Sequence, residues 1–232
     1  MRQLFLDTET TGLSAEGGDR VIELGCVELV NRKLTGNNLH FYFNPGRDSH
    51  EDALKVHGIS NEFLRDKPKF AQVADEVLAF IEDAELIIHN APFDVGFIDH
   101  ELGLLGGGTR RIVEICSVID TLAMARERFP GQRNSLDALC KRLDVNNNHR
   151  TLHGALLDAE LLSDVYLAMT AGQGDLGLSN IETPIERSSI QLGSHTPVSH
   201  KVLLASAEEQ GLHLARLEKI AKKSGGRLQW PS

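Results

Sequence analysis

Two carboxylates stand close together near the start of the sequence. The segment LFLDTETTGL, residues 4–13, is predicted to form a buried strand, and it carries Asp7 and Glu9 two positions apart. Because strand side chains alternate between the two faces, these carboxylates lie on the same face, roughly 6–7 Å apart. At an effective dielectric constant of about 20, two such charges repel by roughly 2–3 kcal/mol. We therefore expect a positive charge beside them.

Two further carboxylates and one histidine stand out by their settings. Asp94 lies two residues after Pro92, in the first turn of a predicted helix, where on its own it fits a residue that complements the helix dipole. Asp158 lies in a helix that is apolar around much of its circumference, and an aspartate there needs a partner. His153, on its own, fits a hydrogen-bonded structural histidine. It lies five residues before Asp158, a spacing that on a helix places the two side chains about 140° apart around the axis. The two share a face only if His153 lies at or before the helix start, which Gly154 permits.

Taken together, the four carboxylates indicate a metal site. They lie on separate elements, each beside an apolar run, with no matched lysine or arginine near them in the sequence. Oxygen ligands without a nearby cysteine favour Mg²⁺ or Mn²⁺ over zinc. Two such ions about 4 Å apart are the arrangement that cleaves phosphodiesters. A histidine, with an ordinary pKa of about 6.5, can take the proton of the attacking water.

The elements that must position these residues alternate along the chain. Apolar runs around a polar turn at 31–33 predict a hairpin. Further patterns predict a helix over 70–81, a strand over 85–89, a strand passing into a helix over 117–129, and helices over 135–143 and 151–170. Three early strands followed by alternating helices and strands indicate an α/β fold, a mixed sheet of about five strands flanked by helices.

Composition limits the classes of function. The net charge is −9, from 24 basic and 33 acidic residues, which argues against a protein that holds nucleic acid through many phosphate contacts. A nuclease whose local charge is reversed by bound divalent metal remains compatible with this balance. Three cysteines in apolar segments without CxxC spacing are typical of reduced core residues. With no signal-peptide pattern and no apolar run near the roughly 20 residues that cross a bilayer, we expect a cytoplasmic protein without membrane contact.

The C-terminal part of the chain has a different composition. Residues 173–200 are rich in glycine, serine, threonine and proline and predict a flexible linker after a domain over 1–172. A small module over 201–232 contains a predicted helix that opens on a capping box of Ser206 and Glu209. We expect the stretch 106–115 to be a surface loop, with no function assigned.

Three motifs resemble those of a known nuclease superfamily. DTETTG, the central aspartate of NAPFDVGF, and HGALLD are similar to the three exonuclease motifs of the DEDDh superfamily, in its histidine subclass. A closer resemblance is to the proofreading ε subunits of bacterial DNA polymerase III. It rests on these motifs extended by IELGCVELVNRKLTGN, VHGISNEFL, FPGQRNSLDALC and RTLHGALLDAELLSDVYLAMT, and it covers about residues 4–172.

The resemblance implies a fold, an activity and residue roles. The fold would be ribonuclease H-like and the activity 3′→5′ exonuclease on DNA. Asp7, Glu9 and Asp158 would bind two divalent ions, Mg²⁺ or Mn²⁺, with Asp94 binding directly or through water, and His153 would be the general base. The residues implied at the nucleotide are Glu9, Thr10, Thr11, Asp52, His57 and Asp158. At position 52 the family more often carries glutamate.

The resemblance also implies partners. QGDLGL, residues 173–178, is similar to peptides that dock on the bacterial sliding clamp, through Gln173, Leu176 and Leu178. The 201–232 module would bind the polymerase α subunit, and a small accessory subunit on the exonuclease domain stays open. Two alternatives also stay open, since the motifs do not distinguish DNA from RNA: a free-standing RNA 3′-exonuclease, and a non-catalytic subunit bridging clamp and polymerase.

Overall fold

A computed structural model describes residues 1–106, 111–148, 150, 152–171 and 205–223. The chain divides into two compact units, Met1–Leu176 and Gly177–Ser232, and each is described by itself. The first unit contains all four carboxylates singled out from the sequence. Among the described residues, we find no helix with the length and apolar character needed to span a membrane.

The first unit is built on one mixed sheet. Its strands are β1 (Arg2–Thr10), β2 (Val21–Val30), β3 (Lys33–Leu34), β4 (Leu39–Tyr42), β5 (Glu85–Ile88) and β6 (Ser117–Asp120). Their order is β3-β2-β1-β5-β6, with β4 also paired to β2. β2 is antiparallel to β1, β3 and β4, whereas β1, β5 and β6 are parallel. The predicted mixed sheet is therefore confirmed, and its parallel part places the carboxyl ends of three strands at one edge.

Helices cover both faces of this sheet. They are α1 (Glu51–His57), α2 (Asn61–Leu64), α3 (Phe70–Ile81), α4 (Ala91–Leu105), α5 (Ile112–Ile115), α6 (Thr121–Arg128), α7 (Leu136–Leu143) and α8 (Ala155–Met169). Leu4 and Leu6 of β1 belong to the core that α3 and α4 complete, whereas Phe5 belongs to the core under α7 and α8. The strand is thus apolar on both faces, as its alternating side chains predict.

Local sequence explains several element boundaries. Asn31 and Arg32 have positive φ, 50° and 63°, which gives the tight turn that joins β2 to β3. Asp120 ends β6 and its side chain accepts the N–H of Leu122, which starts α6 directly at the strand end. The predicted helix over 70–81 is confirmed at its predicted bounds.

Two boundaries differ from the sequence-based expectations. Part of the expected surface loop over 106–115 is helical: α5 buries Ile112 completely, and the Ile112 N–H donates to Asp99 at 2.8 Å. A single helical turn carries too few residues to show periodicity, which is why the sequence did not reveal it. The helix expected over 151–170 begins only at Ala155, and its N-cap residue Gly154 has extended backbone angles.

The second unit is described over 205–223 and contains α9 (Ala207–Lys223). The predicted capping box is confirmed: the Glu209 carboxylate accepts the Ser206 N–H at 2.8 Å, and the Ser206 hydroxyl accepts the Glu209 N–H at 3.3 Å. The predicted linker over 173–200, with the motif residues Gln173, Leu176 and Leu178, lies outside the described residues.

Candidate active site

The first two carboxylates leave the carboxyl end of β1. Asp7 and Glu9 lie on the same strand face as Phe5, whose ring packs edge-on against Tyr166 of α8 at 5.4 Å between centroids. Toward the amino end this face is core; toward the carboxyl end it opens into a cleft of about 700 Å³. The two side chains share one face, as expected from the sequence, and both of them line this cleft.

Asp94 reaches the same cleft from the first turn of α4. Its carboxylate is 3% exposed, and its Oδ1 accepts the Thr8 N–H at 3.0 Å and the Thr8 hydroxyl at 2.7 Å. Thr8 lies between Asp7 and Glu9 on β1. Asp94 thus contacts the strand that carries Asp7 and Glu9, and an interaction with the helix dipole does not by itself explain its position.

His153 and Asp158 come from either side of the start of α8. Gly154 is the N-cap residue and has extended backbone angles, its carbonyl accepts the Asp158 N–H at 2.9 Å, and His153 precedes it, outside the helix. The His153 N–H donates to the Val56 carbonyl of α1 at 3.1 Å, which holds the lead-in segment in place. His153 Nδ1 lies 3.2 Å from Asp158 Oδ2. The condition set by their five-residue spacing is therefore met.

Gly25 allows α8 to approach the sheet at this point. It pairs with Asp7 in the β1–β2 register, and a Cβ at Gly25 would lie 2.2 Å from the Leu156 nitrogen and 2.3 Å from the Ala155 carbonyl carbon. No side chain fits at that distance. The first turn of α8, with Asp158, therefore rests directly on the strand next to Asp7.

These five groups form one acidic cluster. Asp7, Glu9, Asp94, His153 and Asp158 all line the cleft. One ligand atom each from Glu9, His153 and Asp158 lies within 4.8 Å of the others, an arrangement that could hold a metal ion. Such oxygen-rich donor sets suit hard divalent cations.

Burial makes the negative charge of this cluster costly. Desolvation, with Asp94, Glu9 and Asp158 nearby, raises the pKa of Asp7 well above its ordinary value. Desolvation together with Asp158 and other carboxylates raises the pKa of Glu9 to about 8. Desolvation also raises the pKa of Asp94 to about 7, against the opposing hydrogen bonds from Thr8. Full ionisation near neutral pH therefore requires added positive charge, which divalent cations would supply.

Sequence reasoning missed one cation in the cluster, Arg150. Its Nε and Nη2 donate to the two Asp158 oxygens at 2.6 and 2.5 Å, and together with His153 these bonds lower the pKa of Asp158 against the effect of burial. No basic residue on the same element as each carboxylate pairs with it, so the sequence pattern does not indicate this cation. Arg150 lies eight residues before Asp158, outside α8, and only the folded chain brings the two together.

A second cleft, of about 540 Å³, adjoins the first at Glu9. Thr10, Asp52 and His57, which the resemblance implies at the nucleotide, line it. His57 is 4% exposed; its Nδ1 accepts the Ile59 N–H at 2.9 Å, and its Nε2 has no hydrogen-bond partner among the described residues. Asp52 is exposed on α1 and pairs with Lys55 at 2.8 Å.

Thr11 lies behind the wall of this second cleft. It is fully buried, its N–H donates to the Arg20 carbonyl at 2.9 Å, and its carbonyl accepts the His50 N–H at 2.8 Å. Its hydroxyl donates to Asp19, which was not singled out from the sequence. Asp19 also accepts the Ser14 N–H at 3.0 Å. Thr11 and Asp19 therefore shape the loop that forms the wall.

Comparison with known families agrees with this site. The profile of the RNase_T family, described as exonuclease, matches residues 4–166. The chain belongs to this exonuclease family. Two similar relatives carry the name DNA polymerase III subunit epsilon. That of Escherichia coli K12 is 50% identical over 231 residues, covering 97% of this chain and 95% of the relative; that of Haemophilus influenzae is 49% identical over 242 residues, covering 99% and 94%. The resemblance inferred from the motifs is thereby confirmed.

Solved structures share the fold. Exonuclease X in complex with 5′ overhanging duplex DNA superposes with a TM-score of 0.57 at 23% identity, over 72% of this chain and 90% of that one. Exonuclease I of E. coli in complex with a dA16 oligonucleotide gives a TM-score of 0.60 at 18% identity, over 73% and 40%. The expected ribonuclease H-like fold is therefore confirmed.

Proposed function

We propose that this chain is a 3′→5′ exonuclease that removes mispaired nucleotides from the 3′ end of DNA, as the proofreading subunit of DNA polymerase III. The observation that carries the proposal is the convergence of Asp7, Glu9, Asp94, Asp158 and His153 in one cleft. Three separate elements, β1, α4 and α8, supply these carboxylates, and packing alone gives no reason to bury them together.

Asp7, Glu9, Asp94 and Asp158 would hold two divalent cations, Mg²⁺ or Mn²⁺. The raised pKa values of Glu9, about 8, and Asp94, about 7, support this assignment, since a nearby cation is what would keep both ionised. When bound, such ions supply charge stabilisation at the phosphate and lower the pKa of a water molecule. The protein itself fixes the carboxylates, through Thr8 for Asp94 and through the start of α8 for Asp158.

His153 would act as the general base. Its side chain is 44% exposed and lines the cleft, within contact of Asp158, so it can reach a water molecule beside the substrate phosphate. Its place before α8 sets the imidazole beside the start of the helix, while the bond from its N–H to Val56 holds its backbone.

The second cleft would receive the 3′-terminal nucleotide. Glu9 and Asp158 would lie where this nucleotide meets the cations. Because His57 Nδ1 accepts a hydrogen bond, its Nε2 carries the proton in the neutral ring and needs an acceptor. A ribose or phosphate oxygen would supply that acceptor. Thr10 and Asp52 would line the same nucleotide, and Thr11 would hold the wall behind it.

The partners follow from the same assignment. The relatives named as polymerase III subunits support binding of the polymerase α subunit through 201–232, in which no residue of α9 is buried. The motif of Gln173, Leu176 and Leu178 would bind the sliding clamp. The proposal also includes a small accessory subunit that would bind the first unit.

The decisive experiment measures nucleotide release from a 3′-mismatched primer with Mg²⁺, for wild type, Asp7→Asn and Asp164→Asn. Asp164 is an exposed carboxylate on the same helix as Asp158 and serves as the matched control. We expect Asp7→Asn to lose at least about a thousandfold in rate and Asp164→Asn to retain it. Equal rates for Asp7→Asn and wild type would overturn the proposal, and RNA ends offered at equal concentration would decide the substrate.

A further inference from the structure

A buried guanidinium lies against the acidic cluster. The Arg150 side chain is 5% exposed, and its Nε and Nη2 donate to both oxygens of Asp158, at 2.6 and 2.5 Å. The same Nη2 donates to His153 Nδ1 at 2.6 Å. Bidentate pairing of this kind is the strongest that a carboxylate makes with a side chain. Arg150 therefore contacts two of the three groups that surround the candidate cation position.

The guanidinium has a second carboxylate on its outer side. Its Nη1 donates to Asp137 of α7 at 2.5 Å, and the Asp137 side chain is 58% exposed. Arg150 thus lies between a buried carboxylate in the cluster and an exposed one at the rim. It can lose its contact with Asp158 and still keep a charged partner.

Arg150 and a divalent cation would compete for Asp158. The ligand atoms of Glu9, His153 and Asp158 lie within 4.8 Å of one another, so a cation among them would be close to the guanidinium that holds two of the three. Like charges at such short range in a buried site repel strongly. The guanidinium and a cation are therefore alternative partners for the Asp158 carboxylate.

The contact with His153 has a second consequence. A guanidinium only donates hydrogen bonds, so Nδ1 accepts, and the neutral imidazole must carry its proton on Nε2. Nδ1 is then occupied by the guanidinium and Nε2 already carries a proton, so neither nitrogen can take a proton from water. Asp158 Oδ2 lies 3.2 Å from Nδ1, so once the guanidinium is gone, Nδ1–H can donate to Asp158 and Nε2 becomes free.

We propose that Arg150 is the resting counter-cation of this site: it holds Asp158 and His153 in the metal-free protein, and a divalent cation displaces it toward Asp137. Displacement also changes the His153 tautomer, so that Nε2 becomes able to accept a proton only when the cation is in place. The inference rests on the proposed function, since it requires that divalent cations bind these carboxylates.

Titration of the full chain with Mn²⁺, followed by the electron paramagnetic resonance signal of the free ion, tests the competition. We expect Arg150→Gln to bind Mn²⁺ about tenfold more tightly than wild type, because a competing charge is removed. Its unfolding temperature in EDTA should fall below that of wild type. Arg111→Gln is the matched control, since Arg111 pairs with Asp99 outside the cleft, and it should bind Mn²⁺ as wild type does.

The outcomes separate this inference from the proposed function. Unchanged or weaker Mn²⁺ binding by Arg150→Gln, with binding lost in Asp7→Asn, would overturn the role of Arg150 alone. Mn²⁺ binding that is the same in wild type and Asp7→Asn would overturn the metal site itself.

A measurement on the unaltered protein covers the case in which Arg150→Gln fails to fold. ¹⁵N NMR of the histidine rings reports the tautomer of His153. We expect the proton on Nε2 in EDTA and on Nδ1 after addition of Mg²⁺. A tautomer that Mg²⁺ does not change would contradict the proposal.

Discussion

Gly25 of β2 and Leu156 of α8 approach so closely that a β-carbon on Gly25 would lie 2.2 Å from the Leu156 nitrogen. We expect Gly25→Ala to lower the free energy of unfolding by about 2–3 kcal/mol, because the backbone of α8 must move. The rate of primer hydrolysis should fall by more than the loss of folded protein alone would cause, since the same movement displaces Asp158. Urea unfolding and primer hydrolysis measure the two effects.

Gly96 offers a matched control for that substitution. It is an exposed residue of α4, and an added β-carbon there meets nothing within 4 Å. Gly96→Ala should keep activity and raise stability by up to about 1 kcal/mol, since alanine favours helix. Equal effects of the two substitutions would contradict the role given to the Gly25 contact.

The hydroxyl of Thr8 orients Asp94. Thr8→Val removes its 2.7 Å bond to Asp94 and keeps the bond from the Thr8 N–H, so Asp94 should lose orientation and remain in the cleft. We expect kcat for primer hydrolysis to fall about tenfold, a typical effect of one hydrogen bond to a charged group. Thr8→Ser, which retains the hydroxyl, should stay near wild type, and a loss equal to that of Thr8→Val would argue against this role.

Removal of divalent cations should reduce stability. In EDTA the cluster has only protein cations and protons to offset its charge, so Mg²⁺ should raise the unfolding temperature by roughly 5 °C when present well above its dissociation constant. Asp7→Asn removes one of the mutually repelling carboxylates, so it should match or exceed wild type in EDTA and gain little from Mg²⁺. Differential scanning calorimetry makes this comparison, and an equal gain for both proteins would contradict it.

Asp19 gives a pH-dependent prediction. Although desolvation opposes them, bonds from Ser14 and Thr11 lower its pKa below the ordinary value of 3.8. A carboxylate with a depressed folded-state pKa stabilises the protein above its unfolded-state pKa, and this contribution is lost as pH falls through the folded-state value. Asp19→Asn should therefore cost about 1–2 kcal/mol at neutral pH, and the difference from wild type should shrink below about pH 4.

The control for Asp19 is Asp48→Asn, an exposed aspartate in the same part of the chain. Its free energy of unfolding in urea should match that of wild type both at neutral pH and below about pH 4. Because Asp19 supports the wall of the second cleft, Asp19→Asn should also raise KM for the primer. A stability difference that does not change with pH would contradict the electrostatic explanation.

Residues whose roles depend on regular geometry could be predicted from the sequence. Strand alternation placed Asp7 and Glu9 on one face, and the spacing of His153 and Asp158 required a helix start between them, which Gly154 provides. Arg150 could not be found in this way, because no periodicity relates a residue outside a helix to a residue inside it.

The parts that sequence reasoning missed depend on packing between distant segments. α5 is one turn long and is fixed by Asp99 of α4, and the role of Asp19 arises from contacts with Thr11 and Arg47 across a loop. Neither leaves a local pattern in the sequence. Composition could not locate the site either, because net charge describes the whole chain, whereas the site depends on where a few charges lie.

The start of α8 supplies the last group of the site, and it comes near the end of the first unit in the sequence. During synthesis Asp7, Glu9 and Asp94 leave the ribosome long before Asp158 does. A nascent or truncated chain that stops short of α8 therefore has no complete acidic cluster and cannot degrade DNA. Hydrolysis of DNA is in this way withheld until α8 has folded onto the sheet.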